Sequence, residues 1–219
     1  MTKQGKEEKR ENNIVLVARI FLFVIYLVGL IGISLQNLRP AYVQITPVSL
    51  MLSALILLAF HEQWNLRTVL VLAGIGLAGY FIEVLGVQTG VIFGDYTYGT
   101  TLGPAVAGVP LIIGINWLIL IYAIWYVAGK LTLQPFIRIP LTGALMVGFD
   151  LLMEPVAVAL DMWEWSGKSI PFENYLAWFG ISLVFAAILY FARIRIHNPV
   201  AGYLLLFMAF FFGVLNFTV

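Results

Sequence analysis

Long apolar runs separated by short polar connections dominate the chain. After the polar residues 1–13, seven runs follow at Ile14–Leu35, Pro47–Phe60, Thr68–Val87, Val109–Gly129, Ile139–Leu160, Phe172–Ala192 and Pro199–Phe217. Most approach the roughly 20 residues that a helix needs to cross a bilayer, although the second is short unless it begins near Tyr42. The pattern predicts an all-α, polytopic integral membrane protein with about seven transmembrane helices. Residues 1–13 would form a polar cytoplasmic tail, and residues 14–219 a single transmembrane helical domain.

The composition indicates a membrane protein and excludes several kinds of functional site. The chain is 62% hydrophobic and 11% charged, whereas about a quarter of the residues in a soluble domain are charged. It has no cysteine, which excludes disulfides, cysteine-ligated metals and thiol nucleophiles. No basic patch interleaved with aromatic residues is present, so a nucleic-acid partner is not expected. The first run is too long for a signal-peptide core and is interpreted as a retained anchor.

Lysine and arginine in the connections predict the orientation, because they concentrate in cytoplasmic loops. With the N-terminus inside, nine basic residues fall in inner connections: Lys3, Lys6, Lys9, Arg10, Arg67, Lys130, Arg138, Arg193 and Arg195. Only Arg39 and Lys168 fall in outer ones. We therefore predict a multi-pass protein of the inner (plasma) membrane, with its N-terminus in the cytoplasm and its C-terminus outside.

Polar side chains from several runs converge on the outer layer of this predicted bundle. Glu83 lies near the outer end of the third helix, Asn116 in the outer half of the fourth, and Asp150 and Glu154 in the fifth. The connection between helices 3 and 4 has no lysine or arginine and is apolar enough to re-enter the bilayer. Its Asp95 would belong to the same layer.

The stretch GFDLLMEPVAVALDMWEW, residues 148–165, holds four acidic residues and no cation. Asp150 and Glu154 are four residues apart and share a helix face. Ionisable residues at membrane depth are costly and mark functional sites by default. The alternative is that the pair fixes helix packing through hydrogen bonds. Without a cation, at least one of the two is expected to stay protonated near neutral pH and to serve as a general acid.

The other polar candidates each have a structural alternative. Glu83 could be an interfacial acid, Asp95 a turn cap and Asn116 a helix–helix contact. Asp161 and Glu164, beside Trp163 and Trp165, are typical of solvated acids in an aromatic belt. Five side chains near the acids are candidates for lining a substrate pocket: Tyr80, Tyr96, Asn116, Trp117 and Trp163.

Missing residues exclude further classes. Both histidines, His61 and His197, lie in inner connections, so the histidine clusters of membrane di-iron enzymes cannot form, and no metal site is predicted. None of the lysines lies at mid-membrane, which excludes a retinal Schiff base despite the seven runs. Glycine-rich phosphate loops and aspartate-rich pyrophosphate motifs are also missing.

Three blocks carry a family resemblance: FIEVLGVQTGVIFGDYTYG (81–99), GVPLIIGINWLILIYA (108–123) and residues 148–165. Their order and spacing resemble those of the membrane carotenoid biosynthesis proteins that include the bacterial and archaeal carotenoid 1,2-hydratases. The resemblance runs from about Tyr80 to Trp165 and loosely onward. It implies cofactor-independent addition of water to the terminal C1=C2 double bond of an acyclic ψ end group, on lycopene, γ-carotene or a related carotenoid lipid. Association with other carotenoid biosynthesis enzymes is compatible with it, and the oligomeric state stays open.

This chemistry agrees with the residues. Protonation at C2 gives a tertiary cation at C1 that water captures, which requires a neutral carboxylic acid, an anion or aromatic face, and a held water molecule. We favour Asp150, the deeper acid, as the donor, with Glu154 or Glu83 as the anion and Asp95 as a further catalytic candidate.

Two other functions stay open. A lycopene-type cyclase would begin with the same protonation but capture the cation with an internal double bond. The proline–acidic pattern of the small membrane cyclases is not clearly present, since Pro155 follows Glu154. A proton-coupled transporter would also use acids within the membrane, but it would need polar residues in both halves, and the inner half is nearly featureless.

Overall fold

The computed structural model describes residues 3–167 and 169–219, and eight helices lie in this part of the chain. They are α1 (Lys3–Ser34), α2 (Arg39–Gln44), α3 (Thr46–Ala59), α4 (Leu66–Thr89), α5 (Ile112–Leu131), α6 (Pro135–Ala159), α7 (Phe172–Phe191) and α8 (Ala201–Leu215). Lys168, counted above among the outer cations, lies outside the described residues, as do Met1 and Thr2 of the predicted tail.

The predicted apolar runs correspond to α1 and α3 to α8. Their ends differ by at most four residues, except that α1 begins at Lys3 rather than at Ile14. Five helices are long and apolar enough to cross a membrane, namely α1 from Arg10, α4, α5, α6 and α7. The other two, α3 and α8, have 14 and 15 residues, fewer than a perpendicular span requires. The count of seven spans therefore stays a prediction. The described part of the predicted tail, residues 3–13, is helical and continuous with α1.

Helix α5 lies at the centre of the bundle and packs against α3, α4, α6, α7 and α8. Close approach between α4 and α5 depends on two glycines. A Cβ atom at Gly79 would lie 2.7 Å from the Cβ of Trp117, and one at Gly114 would lie 2.6 Å from the carbonyl oxygen of Gly76. Glycine at these positions therefore lets Trp117 lie directly against α4, one turn below Glu83.

Four short strands, which the sequence did not predict, lie in the connections at one end of the bundle. β1 (Tyr96–Tyr98) pairs antiparallel with β4 (Trp163–Trp165), and β2 (Ala105–Val106) pairs with β3 (Val109–Pro110). The connection between α4 and α5 thus folds into strands, and α5 begins at Ile112 rather than at Val109. That this connection re-enters the bilayer stays a prediction.

Arginines within the bundle contact backbone carbonyl groups and aromatic rings. Arg19 donates to the carbonyl of Pro199, and Arg39 donates to that of Ile33. Arg138 donates to the carbonyl of Trp125 and lies 3.6 Å from the centre of its ring. These cations are therefore engaged away from the acidic side chains of α4 and α6.

The opposite end of the bundle is more polar than the sequence indicated. His61 is buried, and its Nδ1 lies 2.7 Å from the hydroxyl of Tyr122. Asn198 donates to the same hydroxyl and to the carbonyl of Leu57. The expectation of a featureless inner half was wrong, because His61 folds back from its connection into the bundle. Polar side chains are therefore present towards both ends of the bundle, as a proton-coupled transporter would require.

Candidate functional site

Two pairs of aromatic residues form a ribbon over one end of the bundle. In β1 and β4, Tyr96 faces Trp165 and Tyr98 faces Trp163. Because successive side chains of a strand point to opposite faces, all four rings share one face, while the central Thr97 and Glu164 are exposed. We call these four residues the aromatic ribbon. Its hydroxyl and indole N–H groups reach acidic side chains on α4 and α6.

Glu83 of α4 accepts three hydrogen bonds. The hydroxyls of Tyr96 and Tyr98 donate to its Oε2 at 2.5 and 2.8 Å, and the indole of Trp117 donates to its Oε1 at 2.9 Å. Burial, and then proximity to Glu83, raise the pKa of both tyrosines well above the usual value. The phenols therefore stay protonated, and able to donate, at neutral pH. Hydrogen-bond donors at both oxygens suit an ionised carboxylate, which accepts hydrogen bonds and has no proton to donate.

Glu154 of α6 accepts two hydrogen bonds at the same carboxylate oxygen. The indoles of Trp163 and Trp165 both donate to its Oε2, at 3.1 and 3.0 Å. Within the described residues, no donor reaches Oε1. An indole N–H cannot accept a proton, so the two donors keep Oε2 as an acceptor and leave Oε1 as the oxygen that can carry one.

Asp150 lies one turn deeper on the same face of α6 and is fully buried. The side-chain amide of Asn174, near the start of α7, donates to its Oδ2 at 2.8 Å. Its Oδ1 is buried and has no partner in the described part of the chain. Two carboxylic groups of α6 thus each keep one oxygen free of protein donors.

Two adjoining cavities reach this group of residues. The first, of about 30 Å³, is lined by Glu83, Glu154, Asn174, Trp178 and the aromatic ribbon, and we call it the carboxylate cavity. It is large enough for one or two water molecules. The second, of about 400 Å³, has almost entirely apolar walls, and we call it the apolar cavity. Four residues line both: Ile113, Asn116, Met153 and Trp163.

The structure brings most of the predicted site residues together. Glu83, Tyr96, Asn116, Trp117, Glu154 and Trp163 line the carboxylate cavity, and Asp150 lies behind it in contact with Asn174. Two do not join them. Asp95 is exposed, and the hydroxyl of Tyr80 donates to the carbonyl of Val106 in β2 and does not line the cavity. The interpretation of Trp163 and Trp165 as a membrane-interface belt was wrong, since both are buried against Glu154.

Sequence reasoning missed Tyr98, Trp165, Asn174 and Trp178 as members of the site. For the first two a signal existed: YTY and WEW each place two aromatic residues at a spacing of two, which is the period of one face of a strand. The other two lie on α7, where Trp178 stacks on Trp117 with ring centres 4.3 Å apart. No spacing in the sequence points to that contact.

Comparison with known proteins finds a matching family and a related protein. Residues 42–218 match the profile of a family described as carotenoid biosynthesis protein. A stretch of 125 residues is 30% identical to bisanhydrobacterioruberin hydratase of Haloarcula japonica. The match covers 51% of this chain and 41% of that protein, so the chain spans less than half the length of this curated relative. No solved structure matches.

Proposed function

Because the chain belongs to the carotenoid biosynthesis protein family, we propose that it hydrates the terminal C1=C2 double bond of an acyclic carotenoid ψ end group. The product is a tertiary alcohol, and the reaction uses acid–base chemistry without a cofactor. One observation carries the proposal. A carboxylic group with one free oxygen, Glu154, lines a water-sized cavity that adjoins a much larger apolar one.

Glu154 is the general acid in this proposal. Its Oε2 is held by two indole donors, so the proton is carried on Oε1 and can pass to C2 of the alkene. The sequence favoured Asp150 as donor. Asp150 does not line the carboxylate cavity, so the proposal moves the donor role to Glu154 and makes Asp150 a positioning residue that holds Asn174.

Glu83 is the anion that stabilises the cation. Its three donors hold it as a carboxylate, and a negative charge at Glu83 favours retention of the proton on Glu154. The aromatic faces of the ribbon and of Trp117 add cation–π stabilisation. Positive charge at C1 therefore develops beside groups already arranged to receive it.

Water completes the reaction. Proton transfer from Glu154 to C2 leaves a tertiary cation at C1, and water attacks C1 to give a protonated alcohol. That species returns one proton to Glu154, so the enzyme is regenerated and the net change is addition of one water. Asn116 lines both cavities, and its amide can both donate to and accept from the attacking water.

The reaction is tested in cells that make lycopene or γ-carotene and express this protein. We expect a more polar pigment that is heavier by one water, with an almost unchanged visible spectrum because C1=C2 lies outside the conjugated chain. In labelled water, mass spectrometry should find one heavy oxygen at C1 and one solvent hydrogen at C2. A pigment of unchanged mass with a new end group would mean cyclisation instead. Proton flux in liposomes without any new pigment would mean transport.

We further propose that the protein lies in the plasma membrane with its N-terminus in the cytoplasm, which places the carboxylate cavity near the outer surface. Thr132 follows α5 at one end of the bundle, and Ser166 follows β4 at the other. A cysteine at Ser166 should react with an impermeant reagent in intact cells, and one at Thr132 only after the membrane is opened. The reverse pattern would place the acids on the cytoplasmic side.

A further inference from the structure

The apolar cavity opens on the surface that faces lipid. Val24 and Val28 of α1 and Val48 of α3 line it, and their exposed fractions are 45%, 45% and 55%. Val28 and Val24 lie six and ten residues before the end of α1 at Ser34, or about 9 and 15 Å along the helix axis. The opening between α1 and α3 therefore lies within the apolar depth of the bilayer.

The walls of the apolar cavity offer a ligand almost no polar group until its inner end. The hydroxyl of Tyr26 is paired with that of Ser53 at 3.0 Å, and Ser53 donates to the carbonyl of Ser49. Methionine and phenylalanine side chains of α8 close another wall. The residues shared with the carboxylate cavity, among them Asn116 and Trp163, form the inner end. A linear apolar molecule entering from lipid would thus end beside Glu154.

The volume limits how much of such a molecule fits. A cavity of 150 Å³ holds benzene, so about 400 Å³ corresponds to roughly 16 carbon atoms by the same ratio. This is about two fifths of a C40 carotenoid. We infer that the apolar cavity binds only one terminal portion of a long linear isoprenoid, which enters sideways between α1 and α3 while the remainder stays in the bilayer.

This inference rests on the proposed function for the identity of the ligand, and it has a consequence for specificity. Contacts with the protein involve the end that reacts. The chemical nature of the far end, which lies in lipid, should have little effect on binding. A closed ring at the reacting end should bind poorly, because it is broader than an extended end group and the adjoining carboxylate cavity is only about 30 Å³.

Binding can be measured without turnover in the variant Glu154→Gln, reconstituted in lipid nanodiscs. A polyene held in one orientation by a protein gains circular dichroism in its visible band, whereas a polyene free in lipid does not. Val28→Trp, at the opening, should weaken lycopene binding by about tenfold or more, since it blocks a preformed site. Val17→Trp is the matched control. It is on the same helix, 64% exposed and away from the cavity, and should leave binding within about twofold of the parent.

The far end is tested with two further polyenes. γ-Carotene, which has a ring at one end only, should bind within about threefold of lycopene, and β-carotene, with rings at both ends, at least about tenfold more weakly. A large loss of affinity for γ-carotene would mean that the protein contacts both ends of the polyene. Equal binding of lycopene by the Val28→Trp and Val17→Trp variants would exclude entry between α1 and α3. No induced signal from any polyene would mean that ordinary lipid fills the cavity.

The inference and the proposed reaction fail in different ways. If the expected binding pattern is found but the protein with Glu154 intact yields no hydrated pigment, hydration is overturned and the inference stands. If lycopene is hydrated but Val28→Trp changes neither its binding nor its KM relative to Val17→Trp, the inference is overturned and hydration stands.

Discussion

Replacing Glu154 with glutamine is expected to lower the hydration rate by about a thousandfold, within the range that general acid catalysis contributes. The amide oxygen of the introduced glutamine can still accept both indole N–H groups, so the aromatic ribbon should stay in place and the protein should stay folded. What is lost is the proton on the second oxygen. The measurement is product formed per folded protein, with folding checked by thermal unfolding in detergent.

Two variants make this result specific. Glu164→Gln changes an exposed side chain in β4 and should leave both activity and folding unchanged. Asp150→Asn keeps an oxygen for Asn174 and should reduce the rate only about tenfold, since Asp150 acts through a neighbour in the proposal. If Asp150→Asn removed activity while Glu154→Gln retained more than about a tenth of it, Asp150 would be the donor after all.

The helices could be predicted from the sequence because the length of an apolar run is a strong local signal. The predicted run Phe172–Ala192, for example, ends one residue after α7 at Phe172–Phe191. The shorter features were not accessible in the same way. The break at Ile45 separates α2 from α3, and strands of two or three residues are set by partners distant in the chain. Tertiary contacts decide such elements, and periodicity alone does not report them.

The carboxylate layer was predicted because antiparallel helices place the end of one beside the start of the next. Glu83 lies six residues before the end of α4, and Asn116 lies four residues after the start of α5, so depth alone brings them together. Direction around the helix is harder to infer. Tyr80 is only three residues from Glu83, yet its hydroxyl donates to the carbonyl of Val106 in β2 and does not line the carboxylate cavity.

The separate roles of the acidic residues follow from tertiary hydrogen bonds, which the spacing of residues in the sequence does not predict. Sequence depth favoured Asp150, the deepest carboxyl. The distinction between Glu83 and Glu154 comes from their donors: three donors reach both oxygens of Glu83, whereas two donors reach a single oxygen of Glu154. The pairing of β1 with β4 sets this difference, because it directs the tyrosines to one acid and the tryptophans to the other.

Replacing Glu83 with leucine is expected to be the most destabilising single change at the site. It leaves two tyrosine hydroxyls and the indole of Trp117 buried without their acceptor, and each unsatisfied buried group costs about 1–3 kcal/mol. The free energy of unfolding should fall by at least about 3 kcal/mol, or roughly 6–12 °C in the unfolding midpoint for a chain of this size.

The variant Glu83→Gln distinguishes the role of Glu83 as a hydrogen-bond acceptor from its role as a negative charge. The glutamine oxygen can still accept hydrogen bonds, so most of the stability lost in Glu83→Leu should be retained. Activity should nevertheless fall by about a hundredfold, because the anion that stabilises the C1 cation is gone. Both variants are measured by thermal unfolding and by pigment hydration under the same conditions. A stable Glu83→Leu protein would show that its three donors find other partners. An active Glu83→Gln protein would show that the cation is stabilised by the aromatic faces of the ribbon and Trp117 without a neighbouring negative charge.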